Sequence, residues 1–224
     1  MSTEHRLTIS KTARYYQLGE VSLETREVWL CCHGYGQLAE PFVQRLEPIA
    51  SDQRVIVAPE ALHRFYLDPP DRSAADRRVG ATWMTREDRE TDIQDYIEYL
   101  DQVCALVCPD PALGSSLVGF GFSQGTATIA RWAAATRHPV SRLILWGSGL
   151  PPDLDWSRAA QRFQQAPVTI VAGEQDEFAL PDRIAEQESL LAQHGVRYST
   201  VRFRGGHQLD DLTLKELARE ADAS

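Results

Sequence analysis

The chain has 224 residues, 43% of them apolar and 25% charged. That is globular composition with material for one core, and it excludes global disorder. With 14 Gly and 4 Cys the chain is neither collagen-like nor a disulfide scaffold. Lys and Arg number 23 against 32 Asp and Glu, a formal charge of −9. Such a chain has no electrostatic reason to seek nucleic acid or anionic headgroups.

No apolar run reaches the roughly 18 residues of a membrane span, so stable insertion in a bilayer is not expected. Met1 to Ser10 is polar and lacks the apolar stretch of a signal peptide. The compartment these features suggest is the cytoplasm, and the cysteines agree. Cys31 and Cys32 would face opposite sides of a strand. Cys104 and Cys108 on a helix would hold their Cβ atoms about 5–6 Å apart, beyond the roughly 3.8 Å of a disulfide. Four reduced thiols and no metal site are expected.

In chain order, Arg14–Leu18 and Val21–Leu23 flank Gly19-Glu20 and suggest a hairpin. Glu27–Cys32 is a β-rich run that stops at His33-Gly34-Tyr35-Gly36. Pro41–Ala50 has helical spacing, and Arg54–Ala58 is a short apolar strand. Pro59–Ala81, with Pro69-Pro70 and Arg77-Arg78, reads as a long surface loop. Arg86–Val107 is an amphipathic helix, with Ile93, Ile97, Leu100, Cys104 and Val107 at intervals of three or four.

Ser115–Phe120 is a strand, Gln124–Thr136 a helix and Arg142–Trp146 a strand. Gly147–Gln165 mixes loop and short helix. Pro167–Ala172, Asp182–His194, Arg197–Phe203 and Asp210–Ala223 follow as strand, helix, strand and helix. Short apolar strands alternating with helices predict one α/β domain over residues 1–224, a mostly parallel sheet covered on both faces. Ligands then collect at the carboxyl ends of the strands.

One such end reads Gly121-Phe122-Ser123-Gln124-Gly125, a G-x-S-x-G turn between strand and helix. Glycines at both flanks remove side chains that would clash in so sharp a turn. The turn lifts Ser123 Oγ to a helix N-terminus, where a developing anion is favoured. A serine hydroxyl needs a base. Of six histidines, His5 lies in the polar arm and His63 in the long loop. His138 precedes a proline, and His194 ends a helix. His33 braces a glycine turn. His207 follows the last strand across Gly205-Gly206 and comes after the serine, the order expected of a hydrolase triad.

The orienting acid belongs between them. Asp176 follows Gly173-Glu174-Gln175 after a strand, with Glu174 and Glu177 as close rivals and Asp153 and Asp155 as weaker ones. An oxyanion hole needs two backbone donors. The N–H groups of Gln124 and of Tyr35, in the glycine turn after an early strand, are the candidates.

These elements together resemble the α/β-hydrolase superfamily, and within it the phospholipase/carboxylesterase family of acyl-protein thioesterases and bacterial esterases. His33-Gly34-Tyr35-Gly36, Gly121-Phe122-Ser123-Gln124-Gly125, Gly173-Glu174-Gln175-Asp176 and Gly205-Gly206-His207 carry the resemblance over roughly residues 27–215. It departs at Tyr35, where a small aliphatic residue is common. It departs also at Trp83-Met84, where the family has Trp-Phe.

The resemblance implies an α/β-hydrolase fold without a large cap domain. It implies a Ser123–His207–Asp176 esterase, oxyanion donors at Tyr35 and Gln124, and no cofactor. The expected substrate is a small apolar carboxylic ester. An acyl thioesterase or lysophospholipase would use the same residues. A non-catalytic protein on the same fold, or a serine peptidase, are the competing classes. Tyr66, Trp83, Met84, Trp146, Leu150 and Trp156 are candidate pocket walls, at least half of them expected to be ordinary core. Homodimerisation is left open.

Overall fold

The computed structural model describes residues 2–70, 73, 75–108 and 115–222. Nine strands are described: β1 (Tyr15–Leu18), β2 (Glu27–Cys32), β3 (Arg54–Pro59), β4 (His63–Tyr66), β5 (Val79–Thr82), β6 (Ser116–Phe122), β7 (Val140–Trp146), β8 (Val168–Gly173) and β9 (Tyr198–Phe203). Six α-helices accompany them: α1 (Ala39–Gln44), α2 (Arg89–Val107), α3 (Gln124–Ala135), α4 (Trp156–Gln165), α5 (Pro181–Gln193) and α6 (Asp211–Asp222). Seven strands form one sheet in the order β1-β3-β2-β6-β7-β8-β9. β1 runs antiparallel to β3, and the other pairings are parallel. No helix among the described residues is long and apolar enough to cross a membrane.

The apolar runs of β2, β3 and β8 are buried along their whole length, as strands covered on both faces must be. Strand alternation divides them between two cores. Val28, Leu30 and Cys32 face the side packed by α2, α3, α4 and α5, with Tyr96, Leu100, Ile129, Phe163 and Leu191. Trp29 and Cys31 face the side packed by α1 and α6, with Phe42, Leu46, Leu214 and Leu217. Each such side chain fully buried is worth about 1.5–3 kcal/mol.

Several sequence expectations change. Residues 14–18 and 21–23 form no hairpin. β1 pairs instead with β3, Tyr16 opposite Ala58, where it caps the sheet edge. The helix expected over 41–50 is α1, ended before a 3-10 turn at Glu47–Ile49 whose Pro48 cannot donate to a longer helix. The stretch 59–81 is not a featureless loop. β4 and β5 pair antiparallel in it as a separate two-stranded sheet. α2 begins at Arg89, three residues later than its periodicity suggests, because Asp88 is left-handed at φ 46°. All four cysteines are free.

At the sheet end away from the strand carboxyl termini, buried charges are gathered. Arg54 Nε donates to Glu27 Oε2 at 2.6 Å, and its two other nitrogens donate to the carbonyls of Ile49 and Ala218. Trp29 Nε1 also donates to Glu27 Oε2, at 3.1 Å. The cluster ties β2, β3 and α6 together. Removing one partner leaves a buried charge without its counter-ion, which costs about 3–5 kcal/mol. Glu27→Ala is therefore expected to lower the unfolding free energy by about 3–5 kcal/mol in urea titration. A loss under about 1 kcal/mol would show that solvent reaches the cluster.

Candidate active site

β6 feeds directly into Ser123, whose backbone takes φ 54° and ψ −118° before α3 begins. A non-glycine residue there stores about 1–3 kcal/mol of strain and persists only where its surroundings hold it. The surroundings do so by close approach. A Cβ on Gly121 would lie 2.4 Å from the Gly125 carbonyl oxygen, and one on Gly125 would lie 2.1 Å from that of Cys32. Only glycine fits at either position. Ser123 N–H donates to the Trp146 carbonyl at 2.8 Å, and Thr126 Oγ1 donates to the Ser123 carbonyl at 2.7 Å. The serine is half-buried at the start of α3.

At the ends of β8 and β9, His207 Nδ1 donates to Asp176 Oδ2 at 2.9 Å. Asp176 is 5% exposed, and its Oδ1 accepts the Phe178 N–H at 2.9 Å. With Nδ1 engaged, the other ring nitrogen, Nε2, is left for external chemistry. Glu174 and Glu177 are exposed and make no such bond. Asp153 belongs elsewhere, in ion pairs of 2.6 Å with both Arg89 and Arg131. Burial opposes its charge, but hydrogen bonds from these two arginines prevail and hold its pKa at about 2.

The turn bearing His207 is pressed onto β8. Gln175 N–H donates to the Gly205 carbonyl at 2.9 Å, and a Cβ on Gly173 would lie 2.4 Å from that same oxygen. The rings of Phe122 and Phe178 flank the imidazole, with centroids 4.9 and 4.7 Å away. Gly147, at φ +73°, links the pair to the serine. It follows Trp146, and its missing Cβ would lie 2.9 Å from His207 Cε1 and 3.3 Å from Asp176 Oδ2. Gly147 and Phe178 were not singled out from sequence, although each lies beside a residue that was.

The turn after β2 lies against the elbow. A Cβ on Gly34 would be 3.1 Å from the Cβ of Ser123. Gly34 N–H donates to Gln37 Oε1 at 2.8 Å, and Gly36 N–H to the Ala81 carbonyl at 2.8 Å. Between them the Tyr35 N–H bonds no acceptor among the described residues. Gln124 opens α3, where the first N–H groups have no intrahelical partner. Its side chain is clamped between Thr82 and Met84, with Nε2 donating to Thr82 Oγ1 at 2.9 Å and to the Met84 carbonyl at 3.1 Å.

Of the candidate walls, Trp83, Trp146 and Leu150 are core residues. Trp83 Nε1 donates to the His33 carbonyl at 2.8 Å. Trp146 packs between Phe120 and Phe203 and donates to the Gln208 carbonyl. Leu150 is buried in the core on the α3 side. Met84 is half-buried beside Gln124, with its sulfur 3.6 Å from Arg131 Nη1. Tyr66 lies under the Arg77 guanidinium, and Trp156 stacks on His194 at 4.1 Å. Aromatic residues near strand ends serve core and pocket alike, and local sequence does not say which.

His33 is a brace, as its place at the turn suggests. Ala61 N–H donates to its Nε2 at 3.1 Å, so the neutral ring carries its proton on Nδ1, which donates to the Gly34 carbonyl at 2.8 Å. Burial holds its pKa below the ordinary 6.5. The unfolded chain therefore binds this proton more readily than the folded one. Stability is fully present above pH 6.5 and falls as pH drops from there towards the lower folded value. In His33→Gln the unfolding free energy is expected to fall less steeply below pH 6.5 than in wild type. Identical slopes in urea titrations across that range would contradict the assignment.

A strained serine elbow and a half-buried His207 bonded to the buried Asp176 thus lie at the carboxyl end of a mostly parallel sheet. The profile of the serine hydrolase (FSH1) family matches residues 23–211. No curated protein sequence matches. Among solved structures, acyl-protein thioesterase 2 of Zea mays aligns with a TM-score of 0.70 at 17% identity, covering 95% of this chain and 99% of that one. Esterase PE8 aligns at 0.69 and 19% identity, covering 95% and 99%. A carboxylesterase from Mesorhizobium loti aligns at 0.69 and 15% identity, covering 95% of each chain. At such identities the likeness establishes the α/β-hydrolase fold, with no cap domain among the described residues, and the matched family profile extends it to chemistry: the chain belongs to the serine hydrolase (FSH1) family.

Proposed function

We propose that the protein is a serine carboxylesterase in which Ser123 is the nucleophile, His207 its base and Asp176 the group that orients the base. The observation that carries this reading is the 2.9 Å His207–Asp176 hydrogen bond at the strand ends that also hold the serine elbow. The buried carboxylate fixes the imidazole tautomer and stabilises the imidazolium formed during reaction.

Ser123 Oγ attacks the acyl carbonyl carbon while His207 Nε2 takes the hydroxyl proton. The carbonyl π pair moves to oxygen, and the oxyanion is met by the N–H groups of Tyr35 and Gln124. When the C–O bond to the alcohol breaks, the alcohol leaves with the proton from His207. Water then attacks the acyl-serine ester by the same route and releases the acid. Losing one oxyanion donor costs about 10²–10³ in rate. Tyr35 and Gln124 contribute backbone groups, so their own substitution does not delete the donors.

The substrates that this reading favours are small, fairly apolar carboxylic esters, since no cap domain encloses a larger pocket. Short-chain p-nitrophenyl esters are the assay. Ser123→Ala is expected to remove turnover, and Asp176→Asn to lower kcat by about 10³–10⁴ while the far-ultraviolet circular dichroism is unchanged. Wild-type ester hydrolysis by Ser123→Ala would overturn the proposal. A folded wild type that hydrolyses no ester would favour a non-catalytic role on the same fold.

A further inference from the structure

A cleft of about 370 Å³ lies beside the oxyanion loop and plays no part in the chemistry above. Tyr35, His63, Phe65, Glu87 and Asp92 line it, with Thr82 connecting it to the serine elbow through Gln124. Tyr35 belongs to both places. Its N–H faces the proposed oxyanion hole, while its ring is 61% exposed and sits 5.2 Å from the ring of Phe65. The two aromatic faces form a wall with no role in the core.

The rest of the lining is polar and carries two carboxylates, Glu87 and Asp92, beside His63, Thr82 and Thr85. Asp92 Oδ1 lies 3.0 Å from His63 Nε2, and its Oδ2 accepts from the Thr85 N–H at 3.1 Å. Glu87 is exposed, and among the described residues no cation pairs with it. Of the neighbouring cations, Arg6 pairs with Asp88 at 2.9 Å, Arg64 with Glu60 at 3.3 Å and Arg89 with Asp153 at 2.6 Å, while Arg86, next to Glu87 in the chain, is exposed and does not line the cleft. The cleft is therefore anionic whether or not His63 is protonated.

No group among the described residues has the ligand set for a metal ion. Aromatic faces next to carboxylates suit a soft, weakly hydrated organic cation, which gains from the ring quadrupole and from the charge together. We propose that this cleft is a subsite for an organic cation, a quaternary ammonium or protonated amine, carried by the ester substrate. It selects cationic esters over anionic ones of the same length. The proposal rests on the ester hydrolase reading, because the cation is carried by the ester that Ser123 attacks.

The test uses choline and neohexyl alcohol, its uncharged isostere. Choline binding to the Ser123→Ala protein is measured by calorimetry, and inhibition by both compounds is measured on wild-type hydrolysis of a neutral ester. Choline is expected to bind, to compete with the ester, and to show a Ki about tenfold below that of neohexyl alcohol. Glu87→Gln should bring the two Ki values together. Phe65→Leu should weaken choline more than its isostere. Equal Ki values in wild type, inhibition that is not competitive, or choline affinity unchanged in Glu87→Gln would overturn the subsite. If esters are hydrolysed but choline does not bind, the subsite alone fails. If choline binds with the expected dependence on Glu87 but no ester is hydrolysed, the cation site stands and the esterase reading fails.

Discussion

Helix α3 starts so close to β2 that a single methyl group on Gly125 would lie 2.1 Å from the Cys32 carbonyl oxygen. The rest of the site depends on that approach. It forces the chain leaving β6 to turn within one residue, and Ser123 carries the positive φ that results. The strain is offset by the two cores, which clamp β6 between β2 and β7. The same approach brings the turn after β2 against the serine, so Ser123 and the Gly34–Gly36 turn are placed by one contact between backbones.

The opposite side of the site is built by a second set of backbone contacts. Gly173 and Gly205 meet without side chains between them, and this seats the His207 turn on β8 above Asp176. Gly147 then fits beneath the imidazole. The geometry of the site is thus held by glycines and carbonyl oxygens, which have no rotamers to rearrange. Side-chain hydrogen bonds, from His33 to Gly34 and from Gln124 to Thr82, tie the remaining loops to this frame.

Much of this could be read from the chain. The elbow is legible because steric exclusion leaves a glycine on either side of the serine. The His207–Asp176 pairing is legible because both follow apolar strands, and strand ends in a parallel sheet converge. The β4–β5 sheet was not. Its strands are short, Arg64 and Tyr66 of β4 are exposed, and the buried residues of β5 are only Gly80, Ala81 and Thr82, so no large apolar run marks them. It is placed by Gly80, where a Cβ would lie 2.4 Å from the Gly36 carbonyl oxygen, a contact between residues distant in sequence. Which of the candidate walls are core, as Trp83 and Trp146 are, was not legible for the related reason that which face a large aromatic buries is a property of the sheet. The acidic, aromatic cleft was hidden because its lining comes from four separate segments.

The central claim is that the elbow holds an activated serine. The most direct measurement is intact-protein mass spectrometry after exposure to a fluorophosphonate, followed by peptide mapping. An activated Ser123 is expected to give one phosphonyl adduct per chain, located on that serine and lost when His207 is replaced by alanine. No adduct on folded protein, or an adduct on another residue, would contradict it.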